Sequence, residues 1–288
     1  MKDFAGKVAV ITGAGSGFGR EFARLGAQRG MRLVLADVQK DALDTVAAEL
    51  QAAGADVLAQ RTDVSKADDV QALADAAMAR FGVVHLLFNN AGVGSGGLVW
   101  ANSLADWDWV LGVNLWGVIH GVRIFTPLML RSMQDDPEYR GHIVNTSSVA
   151  GLLSPTSMGV YNVSKHAVVA LNETLHNDLT MIAARIGVSV LCPAFVPTGI
   201  AQSHRNRPRE LATDKPPSPA QVMVQAMIEK AVESGKLSAS DVAERTFAAI
   251  AEDRFYIITH ERIMPAVRAR HAEIEEGRNP TNPLLRTK

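Results

Sequence analysis

The chain has 288 residues, 47% of them hydrophobic and 20% charged, with a formal net charge of −1. This length is ordinary for one α/β domain with a large core, and the near-neutral balance gives no reason to invoke nucleic acid or a membrane surface as a partner. Cys192 is the sole cysteine, so no intrachain disulfide is possible, which suits a reducing cytoplasm. No apolar run reaches membrane-spanning length, and Met1-Lys2-Asp3-Phe4-Ala5-Gly6-Lys7 lacks the apolar core of a signal peptide.

In chain order, Lys7-Val8-Ala9-Val10-Ile11-Thr12 is rich in β-branched residues and predicts a buried strand. It leads straight into Gly13-Ala14-Gly15-Ser16-Gly17-Phe18-Gly19 and then into a stretch with helical apolar spacing. A lone glycine cluster is more often a plain loop, but strand, glycine-rich turn and helix together point to a dinucleotide. Without Cβ atoms the turn lets the backbone approach a pyrophosphate, whose charge then sits at the helix N-terminus. A second strand, Arg32-Leu33-Val34-Leu35-Ala36, ends in Asp37. A carboxylate there accepts hydrogen bonds from ribose hydroxyls and repels a 2′-phosphate by ~1 to 4 kcal/mol per charge pair at contact. Val38 follows and Ser16 lies inside the glycine turn, so no arginine stands nearby to counter Asp37, and NAD(H) is favoured over NADP(H). The plainer role for Asp37 is to cap a helix starting near Gln39, and the two roles are compatible.

Further strands are expected near 56–61, 84–88, 142–147, 187–192 and 255–258, with helical patterns between them. This alternation predicts an α/β fold: a doubly wound parallel sheet of about seven strands, helices on both faces, and a single domain over residues 1–288. Gly13, Asp37, Asn90, Ser148 and Pro193 all fall just after predicted strands, on the edge where such folds bind ligands.

Tyr161-Asn162-Val163-Ser164-Lys165 places a phenol and an ammonium four residues apart, on one face of a helix. Most such pairs are ordinary surface neighbours, yet neither Tyr139 nor Tyr256 has a lysine at +4. A free phenol has a pKa near ~10, and a lysine beside it favours the phenolate; reaching about 7 takes roughly 4 kcal/mol. Such a pair accepts a proton from an alcohol or donates one to a ketone.

These features together resemble the classical short-chain dehydrogenase/reductase family. Thr12-Gly13-Ala14-Gly15-Ser16-Gly17-Phe18-Gly19 matches its Thr-Gly-x-x-x-Gly-x-Gly pattern, and Asn89-Asn90-Ala91-Gly92 matches the segment closing its fourth strand. Ser148 and Asn114 match its catalytic serine and asparagine, and the likeness runs from about Val8 to Thr198. The resemblance implies Tyr161 as acid/base, with Lys165 lowering its pKa and holding the nicotinamide ribose. It implies that Ser148 binds the substrate oxygen and that Asn114 anchors a water linking Lys165 to solvent. Asp63 corresponds to the adenine-contacting aspartate, with Val64 beside it. Gly13, Ser16, Gly17, Phe18, Gly19, Asn90, Ala91 and Gly92 would line the dinucleotide. Pro193, Val196 and Thr198 resemble the family's carboxamide-holding loop, except that Ala194 stands where glycine is usual; a positive φ there would cost energy. Relatives of this family are often homo-oligomers, tetramers or dimers.

Specificity is expected after Thr198, in a loop or lid over 199–236, and 259–288 is expected to be a C-terminal extension docked on the domain or on a neighbouring subunit. Residues 199–218 read as a loop, Ser218-Pro219 as a helix start, and Val222, Met223, Ala226, Met227 and Ile228 as an apolar face belonging to the core or to a mobile lid. Leu98, Val99, Trp100, Leu153, Met158 and Phe195 are candidates to complete an apolar pocket. The expected substrate is a bulky, mainly apolar secondary alcohol or ketone, such as an aryl carbinol or a steroid. Arg205, Arg207 and Arg209 raise a second idea, an anionic substrate group. The eight histidines lack the i, i+4 spacing of a helical zinc site, so no metal is expected. Two other classes are a cofactor sensor without turnover and an NAD-dependent isomerase or dehydratase using transient oxidation.

Overall fold

A computed structural model describes residues 1–212 and 219–283. Its strands are β1 (Val8–Thr12), β2 (Arg32–Asp37), β3 (Val57–Arg61), β4 (Leu86–Asn89), β5 (Gly141–Thr146), β6 (Ile186–Cys192) and β7 (Tyr256–Ile258). They form one parallel sheet in the order β3-β2-β1-β4-β5-β6-β7. The chain winds one way from β1 through β3, then returns to place β4 on the other side of β1. That reversal opens a crevice at the strand C-terminal ends, between β1 and β4.

The period of two along each strand divides the core. Ala9, Ile11, Leu33, Leu35, Leu86 and Phe88 face α1 (Gly17–Gln28), α2 (Lys40–Ala52) and α8 (Ala239–Ala251), where Phe22 stacks on Phe88 with ring centroids 4.9 Å apart. Val8, Val10, Val34, Ala36 and Leu87 face α3 (Ala67–Phe81), α5 (Gly117–Asp135) and the end of α6 (Gly159–Met181). With both faces covered, the inner strands are continuous apolar runs rather than alternating ones.

One expectation needs correction. α4 (Leu104–Leu111), a π-helical turn (Gly112–Trp116) and α5 join into a 32-residue helix long and apolar enough, by length and composition, to cross a membrane. Half of its apolar stretch is buried inside the fold, and Val118, Ile124, Phe125 and Met129 sit in its core-facing side, so the hydropathy belongs to packing.

Two buried histidines sit towards the opposite end of the sheet. His85 Nδ1 accepts the Val8 amide at 3.1 Å, and His142 Nε2 lies 2.7 Å from Ser189 Oγ, which itself donates to the Arg254 carbonyl. Burial, aided by Lys7 and Arg32, pushes His85 down to about 4, and burial with the N-terminal charge pushes His142 down to about 3. Both stay neutral in the folded chain while the unfolded chain takes up protons below the ordinary value of 6.5. Their contribution is therefore complete above that value and is lost as pH falls, by about 1.4 kcal/mol per pH unit for each histidine. Urea unfolding at pH 7 and pH 5 should show a clear fall in stability, with a shallower slope in His142→Gln.

Candidate active site

The glycine turn is built around close approach. Gly13 has φ +67°, and a Cβ on it would lie 2.9 Å from Ala91 Cα; one on Gly19 would lie 2.1 Å from the Gly13 carbonyl oxygen. α1 begins at Gly17, and its N-cap Ser16 makes no side-chain capping bond, so the first-turn amides are left for an anion. Ser16, Gly17 and Phe18 line the cleft. Thr12 organises the facing segment: its Oγ1 donates to the Phe88 carbonyl and accepts the amides of Asn90 and Ala91 at 2.9 and 3.1 Å. Asn90 Nδ2 returns a bond to the Thr12 carbonyl.

Asp37 closes this end of the cleft, but not as a helix cap. α2 starts at Lys40 after Gln39; Asp37 Oδ1 accepts the Gln39 amide and Oδ2 accepts the Gly15 amide, each at 2.9 Å. The carboxylate thus ties the glycine turn to the end of β2. Arg61 corrects the reading that no arginine is near: it is the register partner of Asp37 on β3 and lines the cleft. Sequence proximity missed it because the contact runs across strands. Asp63 turns the next loop, its Oδ1 accepting Ser65 N and Oγ, and Val64 lines the cleft beside it.

Ser148, Tyr161 and Lys165 meet on the opposite wall. Ser148 Oγ donates to the Pro193 carbonyl at 3.3 Å and accepts the Ala150 amide at 3.1 Å, which fixes its hydroxyl at the end of β5. Burial pushes the Tyr161 phenol up, and a hydrogen bond with Ser148 pulls it back. This reverses the expected depression by lysine. Lys165 does share the helix face, with its Nζ 5.6 Å from the Tyr161 ring centroid, but it donates to the Thr146 carbonyl at 2.9 Å. Burial also brings Lys165 down to about 8. Asn114 lies in the π-helical turn, fully buried, its amide engaged with Val93 N and O and with Ser164 Oγ. Gly92 packs beside both: a Cβ there would stand in ordinary contact, 3.4 Å from Asn114 Oδ1 and 3.6 Å from Lys165 Nζ.

After β6, Pro193, Val196 and Thr198 line the cleft, and Thr198 lies 3.5 Å from where a Gly17 Cβ would stand. Ala194 is not among the positive-φ residues, so alanine carries no backbone strain, and its amide donates to His260 Nδ1 at 3.3 Å. Cys192 is buried packing, its thiol pushed up to about 12 by burial.

Beyond Thr198 the expected loop is partly helical, with 3-10 turns at Gly199–Asn206 and Arg209–Leu211, followed by α7 (Pro219–Glu233). Ser218, the expected cap of α7, lies outside the described residues. The apolar face is also rotated from expectation. Val224 is buried and Ile228 and Val232 line the cleft, whereas Val222, Met223 and Met227 are more than half exposed. A helix apolar on several sides does not declare by pattern which stripe faces inward; here the i, i+4, i+8 set does. Leu153, Met158 and Phe195 line the cleft as expected, but Val99 and Trp100 are exposed and Leu98 stays out of the cleft. Gly97, at φ +134° and bridged to Met158, turns the chain away before them.

Of the three arginines Arg205 alone lines the cleft, and Arg205 and Arg207 are both engaged by other groups. Arg207 pairs with Asp106 at 2.6 Å and lies over the Trp109 ring, and Arg205 donates to the Gly199 and Gln202 carbonyls. Burial opposes ionisation of Asp106, but Arg207 and Ser103 hold its carboxyl below the usual range. Arg209 makes no cleft contact, whereas Glu210 does. Among the described residues no group of three or more His, Cys, Asp or Glu is placed to hold a metal.

Sequence reasoning missed several supports. Asn89 Nδ2 donates to Asn145 Oδ1 at 2.7 Å and Asn145 Nδ2 to Asn172 Oδ1 at 2.9 Å, a buried amide chain under the site; asparagines inside apolar runs were its only signal. Gly121 makes space for it, since a Cβ there would lie 2.0 Å from Asn89 Oδ1. Ser203 Oγ accepts the Gly94 amide at 2.8 Å and donates to the Ile200 carbonyl, stitching the cover to the loop after β4.

Together these walls enclose a cleft of about 1310 Å³ that runs from Asp37 and Asp63, past Ser148 and Tyr161, to Leu211 and Ile228. Uncapped amides at a glycine turn, a carboxylate for ribose hydroxyls and an apolar far end fit a nicotinamide dinucleotide beside a second molecule.

A sequence model described as short chain dehydrogenase matches residues 7–209. A short-chain dehydrogenase/reductase from Burkholderia phymatum, solved in complex with NAD, is 59% identical with a TM-score of 0.95, over 98% of this chain and 99% of that one. A CLA biosynthesis dehydrogenase/reductase of Lactiplantibacillus plantarum is 33% identical over 273 residues, 94% of this chain and 93% of the relative. A 1-deoxy-11-beta-hydroxypentalenate dehydrogenase of Streptomyces avermitilis is 34% identical over 254 residues, 88% of this chain and 84% of the relative. Fold, motif order and relatives agree: the chain belongs to the short-chain dehydrogenase/reductase family of oxidoreductases.

Proposed function

We propose that this oxidoreductase moves hydride between NAD(H) and a bulky, mainly apolar secondary alcohol or its ketone, with Tyr161 moving the proton. The observation that carries the reading is that Ser148, Tyr161 and Lys165 all line one cleft, which also takes in the apolar side chains of Leu153, Met158, Phe195 and Ile228. The cofactor, held at the glycine turn and Asp37, supplies the hydride acceptor. In oxidation Tyr161 takes the hydroxyl proton while Ser148 orients the same oxygen; in reduction Tyr161 returns it. Lys165, held by the Thr146 carbonyl, stabilises the phenolate as it forms. The Burkholderia relative's NAD and the position of Asp37 both support NAD over NADP.

The names of the relatives, dehydrogenases among them, support dehydrogenation rather than sensing. Exposed Trp116 and Val163 support a homo-oligomer, and the single buried Cys192 supports a reducing compartment such as the cytoplasm. The reading is tested by following nicotinamide absorbance with NAD⁺ across aryl carbinols, steroid alcohols and short alcohols. Net NADH formation that favours the bulky alcohols is the expected result. Turnover with no net NADH would assign the chain to isomerases or dehydratases instead, and preference for short hydrophilic alcohols would remove the substrate class.

A further inference from the structure

α9 (Met264–Glu275) buries only two side chains, Val267 and Glu273. A buried carboxylate is costly unless its oxygens are hydrogen-bonded. Glu273, 4% exposed, receives two bonds from Thr281: Oγ1 donates to Oε1 at 2.7 Å and the amide donates to Oε2 at 3.4 Å. Its main-chain carbonyl accepts the Arg278 amide at 2.8 Å, across a turn in which Gly277 takes φ +63°. This is the long bond of a Schellman turn, with glycine where the left-handed residue belongs. Glu273 therefore directs the chain leaving α9 twice, through its carbonyl and through its carboxylate.

The redirected tail returns to the cleft, where Pro283 shares a wall with Ile263, Pro265 and Ala266. Topology says which end this is. Asp37 and Asp63 follow β2 and β3 at one side of the sheet, whereas the tail follows β7 at the other edge. The tail thus meets the cleft on the side away from the adenosine end.

We propose that the Glu273–Thr281 latch seats the C-terminal tail as a wall of the alcohol site, with Pro283 determining specificity and Glu273 positioning it. This rests on the alcohol/ketone reading above. A substrate large enough to touch the wall gains binding from it in ground and transition states alike, so the latch acts on KM rather than on kcat.

The test uses the full-length enzyme with saturating NAD⁺, a bulky aryl carbinol and a short secondary alcohol. In Thr281→Val the KM of the bulky alcohol should rise about tenfold, the size of a lost apolar contact, with kcat and the KM of the short alcohol unchanged. Pro283→Gly should raise the bulky KM likewise. Glu273→Ala should match Thr281→Val, and Glu273→Gln, which keeps an acceptor for the threonine, should recover most of the affinity. A bulky-alcohol KM that stays at the wild-type value in both Thr281→Val and Pro283→Gly overturns the proposal. Hydrogen exchange reads the latch without turnover: the Thr281 amide should be protected in wild type and released in Glu273→Ala. A wild-type enzyme that turns over no alcohol, yet protects Thr281, sinks the reaction and leaves the latch; an unprotected Thr281 sinks the latch itself.

Discussion

Tyr161→Phe should lower kcat/KM for alcohol oxidation by about 10²- to 10⁴-fold, the range for removing a positioned acid/base, while leaving NAD⁺ affinity unchanged. The substitution removes one oxygen and keeps the ring in its place on α6, so loss of activity with a normal thermal transition isolates the proton transfer. The burial that pushes the phenol up gives a second signature. Oxidation needs the phenolate, so its rate should rise about tenfold per pH unit on the acidic side of the phenol pKa, whereas reduction uses the phenol and should fall as pH passes that value. Between pH 6 and 10, on the acidic side of the raised phenol, steady-state rates should climb for oxidation and stay flat for reduction. A Tyr161→Phe variant within about threefold of wild type would be transferring the proton to another group, and the Ser148–Tyr161 pair would lose its assigned role.

Asp37→Ala should shift the NAD⁺/NADP⁺ preference by about 10- to 100-fold toward NADP⁺, the equivalent of about 1.4 to 2.7 kcal/mol for one charge at this partly solvated edge. Two effects act together. The substitution removes a repulsive carboxylate, and it leaves Arg61, its neighbour across the sheet, at the same wall. The double variant Asp37→Ala, Arg61→Ala should therefore lose much of the gain for NADP⁺ while staying poor with NAD⁺. Because Asp37 also accepts the Gly15 and Gln39 amides, part of the NAD⁺ loss should appear as a looser glycine turn. Asp37→Asn, which keeps an acceptor for one of those amides, separates the two contributions. The readout is kcat/KM for each cofactor at fixed alcohol; an unchanged ratio in Asp37→Ala would remove the charge argument.

The sheet was legible because a parallel sheet covered on both faces demands apolar runs, and each of the seven runs became a strand. The glycine turn was legible for a similar reason, since Gly13 and Gly19 stand where no Cβ fits. What failed was everything set by contacts between distant elements. Arg61 is 24 positions from Asp37 in the chain yet opposite it in the sheet. The orientation of α7 depends on Gly96, where a Cβ would lie 2.5 Å from Val224 Cγ1; no helical period encodes that meeting. Lys165 and Tyr161 share a face as their spacing requires, but spacing says nothing about the Thr146 carbonyl that claims the ammonium. The arginines after Thr198 looked available because Asp106, the partner of Arg207, lies 101 positions away.

The winding of the sheet in two directions from β1 also bears on how the chain is made. Val10 pairs with Val34 on one side and with Leu87 on the other. On a ribosome the first partner arrives early, but β1 keeps its second edge open while the intervening β3 and α3 are synthesised. At ordinary elongation rates that interval lasts roughly 3 to 10 s. For that time a largely apolar strand presents unpaired amides and carbonyls to its surroundings, and α5, which will help cover one of its faces, does not yet exist. The crevice that makes room for the dinucleotide is therefore bounded by a strand edge that waits unpaired until β4 is made.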